Sequence, residues 1–189
     1  MMVLTVQRYS EIVKAYSNIG YVPEFSKSPY AYLSPRFTKG YMTVLDELAK
    51  KTNERYIEGI DTCIWGWVNN PFLGFYPNNN GKSKSERLYA VFCNIDERNL
   101  VMTDYDKFCN YVQGYSESKD FFVKDFNYGD CVQCSFWKLK YSDISLVVDL
   151  DMLKSNNFIQ EIYNGRMNDV SYMFKPSYRK FIRTTVGVC

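Results

Sequence analysis

Arg87–Val112 reads RLYAVFCNIDERNLVMTDYDKFCNYV, and the fold turns on how this stretch is divided. Leu88–Cys93 is apolar at every position, the pattern of a strand buried on both faces. Asn94–Asn99 is polar and turn-forming, with Asp96, Glu97 and Asn99. Leu100–Met102 is a second short apolar run. Thr103 stands where a helix N-cap belongs, and Asp104 and Asp106 would meet the positive end of the helix dipole. Tyr105, Phe108, Cys109 and Val112 recur at helical spacing and can bury one stripe. A central strand, a turn and a packed helix form a core nucleus that the remaining elements must cover.

Working outward, Val3–Val6 reads as a first strand and Ser10–Asn18 as a helix stopped by Gly20. Glu24–Gly40 is rich in serine and proline and reads as a long loop. It alternates Lys27, Arg36 and Lys39 with Tyr30, Tyr32 and Phe37. Such a loop is either pinned to the core by its aromatics or a functional surface. Tyr41–Tyr56 is an amphipathic helix, with Val44, Leu45, Leu48 and Ala49 inward and i,i+4 pairs Asp46–Lys50 and Glu47–Lys51 outward. Cys63–Val68 (CIWGWV) is a strand whose Trp65 and Trp67 share one face, with Gly66 leaving the other face bare. The two rings either fill the core or wall a pocket.

Pro71–Lys84 has Phe72, Phe75 and Tyr76 to tether its first half. Residues 78–85 have linker composition, giving a mobile basic loop with Lys82 and Lys84. Glu117–Phe126 reads as a helix with Phe121, Phe122 and Phe126 inward. Cys131–Leu139 is a strand with Val132, Cys134 and Phe136 opposite Gln133, Ser135 and Trp137. Ile144–Leu150 is another strand, and Met152–Tyr163 a helix. In residues 166–189, Lys175, Arg179, Lys180 and Arg183 interleave with Tyr172, Phe174, Tyr178 and Phe181. That is the footprint of phosphate or nucleic-acid contact, and equally that of a terminal strand with solvated charges. The whole predicts one α+β domain over residues 1–189, with a mixed, mostly antiparallel sheet of about five to seven strands flanked by helices.

Composition restricts the chemistry. The chain has 189 residues, a formal charge of +2 and no histidine. Histidine-based triads and histidine-ligated metals are therefore impossible within it. The six cysteines lack the spacing of a zinc site: Cys131-x-x-Cys134 stands alone, on a strand that sends the two thiols to opposite faces. No phosphate-binding glycine motif or nucleophile elbow is present. No apolar run reaches the ~18–20 residues of a membrane span, and the first residues lack a signal-peptide pattern, so a reducing cytoplasm is the expected compartment.

Three segments, LTVQRYSEIVKAYSNIGYV, IWGW and the pair RLYAVFCNIDERNLVMTDYDKFCNYV with CVQCSFWKLKYSDI, resemble an uncharacterised bacterial family, domain of unknown function 3841. The resemblance spans most of Val3–Val148 and implies no activity. More distantly, the order of elements is similar to ADP-ribosyltransferase-like domains. That likeness implies NAD in a cleft between two small sheets, with Gln133 where the family carries a glutamate and with Gln7 or Arg8 on the first strand. Glutamine would stabilise a developing ribosyl cation poorly.

Three functional readings stay open. One is a binding protein without cofactor that engages nucleic acid or a nucleoprotein complex through Lys27, Arg36, Lys39, Lys82, Lys84, Lys175, Arg179, Lys180 and Arg183. An inhibitor of a host defence complex, anti-CRISPR-like and carried on a mobile element, is one form of it. The second is a histidine-free enzyme acting on NAD or RNA, with Gln133 and Arg8 catalytic and Tyr30, Tyr32, Trp65 and Trp67 walling the pocket. The third is a module that binds only protein.

Overall fold

A computed structural model describes residues 1–16, 20–24, 34–56, 62–69, 71–127 and 130–155. The strands are β1 (Met2–Arg8), β2 (Ile64–Asn69), β3 (Leu88–Asn94), β4 (Leu100–Asp104), β5 (Phe122–Val123), β6 (Val132–Phe136) and β7 (Ile144–Asp149). They form one sheet in the order β5-β4-β6-β2-β1-β3-β7, and every pairing is antiparallel. Helices α1 (Tyr9–Ala15), α2 (Pro35–Thr52), α3 (Tyr105–Gln113) and α4 (Leu150–Ser155) complete an α+β fold. None of the described helices is long and apolar enough to cross a membrane.

Alternation along β1 sorts the core into two faces. Val3 joins a cluster with Ile12 and Ala15 of α1, Val91, Cys93, Cys134, Phe136 and Leu139. Leu4 joins the other face with Trp67, Phe92 and Val148, beneath Leu150 and Leu153 of α4. On that second face α2 and α3 cover the far half of the sheet through Tyr41, Val44 and Phe108, with Phe121 from the segment before β5 packed among them. The expected alternation of β6 is observed: Val132, Cys134 and Phe136 lie in the α1-side cluster, and half-buried Gln133 points the other way.

The turn at Asn94–Asn99 joins two strands that are not neighbours. Three strands, β1, β2 and β6, separate β3 from β4. The register places Asn94 opposite Met2, whereas Leu100 lies opposite Phe136 and Phe136 opposite Ile64, toward the other end of β1. In a flat sheet this crossing would need about 25 Å, from four strand spacings and five residues of rise. Six peptide units reach only about 20 Å. The sheet is therefore strongly coiled, so that opposite corners meet over the α1 side. Ile95, Leu100, Leu139 and Ile144 all contributing to one cluster is the consequence.

Gly66 is required by this packing. A Cβ there would lie 2.5 Å from Val3 Cγ1 and 3.0 Å from the Leu4 carbonyl oxygen. Gly40 likewise lets α2 close on α3, where a Cβ would meet Val112 Cγ1 at 2.4 Å.

Several sequence expectations are corrected. The loop of 24–40 ends early: Ser34 caps α2 by accepting from the Phe37 N–H, and Pro35 fills the first turn. Arg36 and Lys39 thus sit on a helix, because a Ser-Pro pair is itself a helix start. The cap of α3 is Asp104, whose carboxylate accepts from the Lys107 N–H, and Thr103 is still in the strand. Residues 117–126 are not a helix: Asp104 N–H donates to the Phe121 carbonyl, and Phe122 pairs with Thr103. Ladder bonds to β4 outweigh the helical spacing of the phenylalanines. Phe72 and Phe75 are both about half exposed; Tyr76 packs inward, and Phe75 reaches the Tyr105 ring at 6.0 Å.

Candidate functional site

Among the described residues, the expected site residues do not gather at one place, apart from Arg8, Lys82 and Lys84. Lys27, Tyr30, Tyr32, Lys175, Arg179, Lys180 and Arg183 lie outside the described residues. Arg36 pairs with Glu117 at 3.1 Å on the α2 side, and Lys39 is exposed one turn later. Trp67 is 2% exposed and packs on Tyr105 at 5.3 Å. Trp65 lies between Tyr41 (5.1 Å) and Phe108 (5.2 Å). Trp67 is therefore a core residue, whereas Trp65 is partly buried against the α2–α3 aromatic cluster. Gln133 pairs with Trp67, which pairs with Leu4. It therefore sits two strands and four residues from Arg8, about 16 Å away. Gln7 is buried and spends its amide on Thr5 Oγ1 at 2.7 Å.

One charged group is assembled, around the ends of β1 and β3. Arg8 closes β1 and pairs with Leu88. The Tyr9 N–H donates to the Arg87 carbonyl oxygen at 3.0 Å, which sets Arg87 against Tyr9, next to the Arg8–Leu88 pair. Lys84 Nζ stands 4.7 Å above the Tyr9 ring, a cation–π contact. Tyr9 in turn lies 6.1 Å from Tyr89. The Glu86 carboxyl is held below its usual range by the Ser83 hydroxyl and backbone N–H, and Arg8 and Lys82 add positive charge around it. Arg8, Lys82, Lys84 and Arg87 thus share one rim. Glu11 faces Arg8 at 3.8 Å, and Asp149 takes Arg87 at 2.9 Å. No salt bridge among the described residues engages Lys82 or Lys84.

The rim is held from beneath by Asn79, which is 4% exposed. Its Oδ1 accepts from the Leu88 N–H at 2.7 Å, and its Nδ2 donates to the Leu88 carbonyl at 2.8 Å. Arg87 already turns its carbonyl toward β1, so Leu88 turns its own groups toward β7. There β7 has ended at Asp149, opposite Tyr89. The Asn79 amide stands in for the missing strand residue. Its backbone N–H donates to Asp151 Oδ2 at 2.9 Å, and Lys154 Nζ donates to the Tyr76 carbonyl. Residues 78–85, expected to be mobile, therefore carry a buried anchor that their composition does not reveal.

No family model, curated protein or solved structure matches this chain. The likeness to domain of unknown function 3841 rests on the quoted segments alone, and the roles of the rim residues must be argued from their chemistry.

Burial governs the thiols among the described residues. No three cysteines or carboxylates there group as metal ligands. Burial pushes the Cys63 thiol up to about 12 and the Cys131 thiol up to about 11. Burial also raises Cys93, Cys109 and Cys134. Thiolates react and thiols do not. The five described cysteines should therefore alkylate slowly with iodoacetamide near neutral pH in the folded chain and rapidly in denaturant. Rapid native labelling of Cys131, followed by peptide mapping, would contradict this assignment.

Proposed function

We propose that this chain is a binding protein that engages nucleic acid, free or within a nucleoprotein complex, through the rim of Arg8, Lys82, Lys84 and Arg87. The observation that carries the reading is the meeting of four cations from two distant points of the chain, Arg8 and the 82–87 stretch, beside Tyr9 and Glu86, with Lys82 and Lys84 in no salt bridge among the described residues. Positive charge supplies phosphate affinity, and an aromatic ring beside it can stack on a base. Arg87 is oriented by Asp149, and its Nε is buried without a partner among the described residues. Inhibition of a host nucleoprotein complex is one use of such a surface.

The test is fluorescence anisotropy with single- and double-stranded oligonucleotides over a salt series. An Arg8→Ala/Lys82→Ala/Lys84→Ala variant is expected to bind roughly 10–100-fold more weakly at low salt and to reduce the salt slope by about 2–3. Arg87 is left intact in it because Asp149 depends on that guanidinium. An unchanged slope would refute the assignment.

A second reading, a module that binds protein alone, is favoured by one observation. Phe72 and Phe75 stand about half exposed, with their rings edge-to-face at 4.6 Å. Exposed aromatic pairs are frequent at protein interfaces. Absence of any salt-dependent nucleic-acid binding would turn the choice to this reading. An NAD-dependent transferase would instead show thermal stabilisation by NAD, lost in Gln133→Ala.

A further inference from the structure

Residues 78–81 read Asn-Asn-Asn-Gly, and the three amides have different fates. Asn78 Oδ1 accepts from Lys154 Nζ at 3.3 Å. Asn79 is locked into the β3 edge through both side-chain atoms. Asn80 is exposed, and neither its side chain nor the Gly81 N–H has a partner among the described residues.

The backbone there is a four-residue turn, with Lys82 N–H donating to the Asn79 carbonyl at 3.1 Å. Gly81 has φ +73°, and Asn80 is not at positive φ, so the turn is type II with glycine at its third position. Nothing lies within 4 Å of where a Gly81 Cβ would be. The amide nitrogen that follows Asn80 is therefore unbonded among the described residues, on a glycine whose Cβ side is open.

We propose that Asn80 is a site of spontaneous deamidation, and that the conversion adds a negative charge beside the basic rim. The Gly81 nitrogen, losing its proton to water or hydroxide, attacks Asn80 Cγ. The bond from Cγ to the amide nitrogen breaks, and ammonia leaves with the proton it needs. Water then opens the succinimide at either carbonyl, giving aspartate or isoaspartate. No oxidant or cofactor takes part. The product places a carboxylate two residues from Lys82 and four from Lys84, and isoaspartate adds a methylene to the main chain beside the Asn79 anchor.

The chemistry stands without any function. Its consequence for nucleic acid rests on the reading proposed above. The experiment keeps the two apart. Purified protein is aged at mildly alkaline and mildly acidic pH and mapped by peptide mass spectrometry with isoaspartate detection. Asn164–Gly165, the other Asn-Gly of the chain, serves as an internal reference.

Conversion at Asn80 that is faster at alkaline pH, with Asn78 and Asn79 intact, is the expected result. Asn80→Gln, whose cyclisation needs a larger ring, should abolish it while preserving the fold. Conversion at Asn164 with Asn80 intact would overturn the proposal. So would conversion of Asn79 at the rate of Asn80. Aged protein and an Asn80→Asp variant are then compared in the anisotropy assay. A several-fold loss of affinity in both supports the charge effect; undiminished binding by the aged protein refutes that effect and leaves the chemistry standing.

Discussion

Replacing Trp67 with alanine is expected to destabilise the folded chain by about 4 kcal/mol, the cost of emptying a fully buried aromatic site. Trp67 is 2% exposed and packs with Leu4, Phe92 and Tyr105. It also faces Leu4 across the β1–β2 pairing at the centre of the sheet, where neighbours cannot collapse into the void. For a chain of this length the melting temperature should fall by roughly 8–16 °C. Trp67→Phe keeps most of the volume and should lose less than half as much. Thermal denaturation followed by circular dichroism measures both. A Trp67→Ala protein that melts like the parent but loses a ligand would restore the pocket-wall reading in place of the core.

Replacing Asn79 with alanine is expected to cost about 3 kcal/mol. The change strips partners from the Leu88 N–H and carbonyl together, at a site 4% exposed. It also removes the amide that stands 3.4 Å from both carboxylate oxygens of buried Asp149. That carboxylate retains the Asp151 N–H and Arg87. Asn79→Asp should be at least as damaging, because it loses both donors and sets a second negative charge beside Asp149. The comparison with Asn80→Ala is informative: the neighbouring amide has no partner among the described residues, and its loss should leave stability within about 0.5 kcal/mol. Equal effects at the two positions would show that the Asn79 anchor does not form.

Local chemistry was legible wherever a segment's own pattern decides its structure. The continuous apolar run of Leu88–Cys93 made β3 buried on both faces. The two-residue alternation of β6 separated Cys134 from Gln133. The apolar stripe of Val44, Leu45 and Leu48 made α2. In each case burial of a periodic face is the dominant energy, and the period is written in the residues. The aromatic pair Trp65 and Trp67 was legible as sharing a face, which it does.

What escaped was every feature set by residues distant in the chain. Phe121, Phe122 and Phe126 have helical spacing, yet β4 recruits that segment through backbone bonds that no local pattern encodes. Asn94–Asn99 has hairpin-like composition, yet it spans three strands, because strand order depends on long-range pairing. The rim of Arg8, Lys82, Lys84 and Arg87 needs β1 beside β3, and it needs Asn79 to find the carboxyl end of β7. The sequence alone determined the buried strands, the amphipathic helix and the exclusion of histidine chemistry. Only the tertiary structure decided which cations share a surface, because sheet order and coiling place side chains that are seventy residues apart within contact distance.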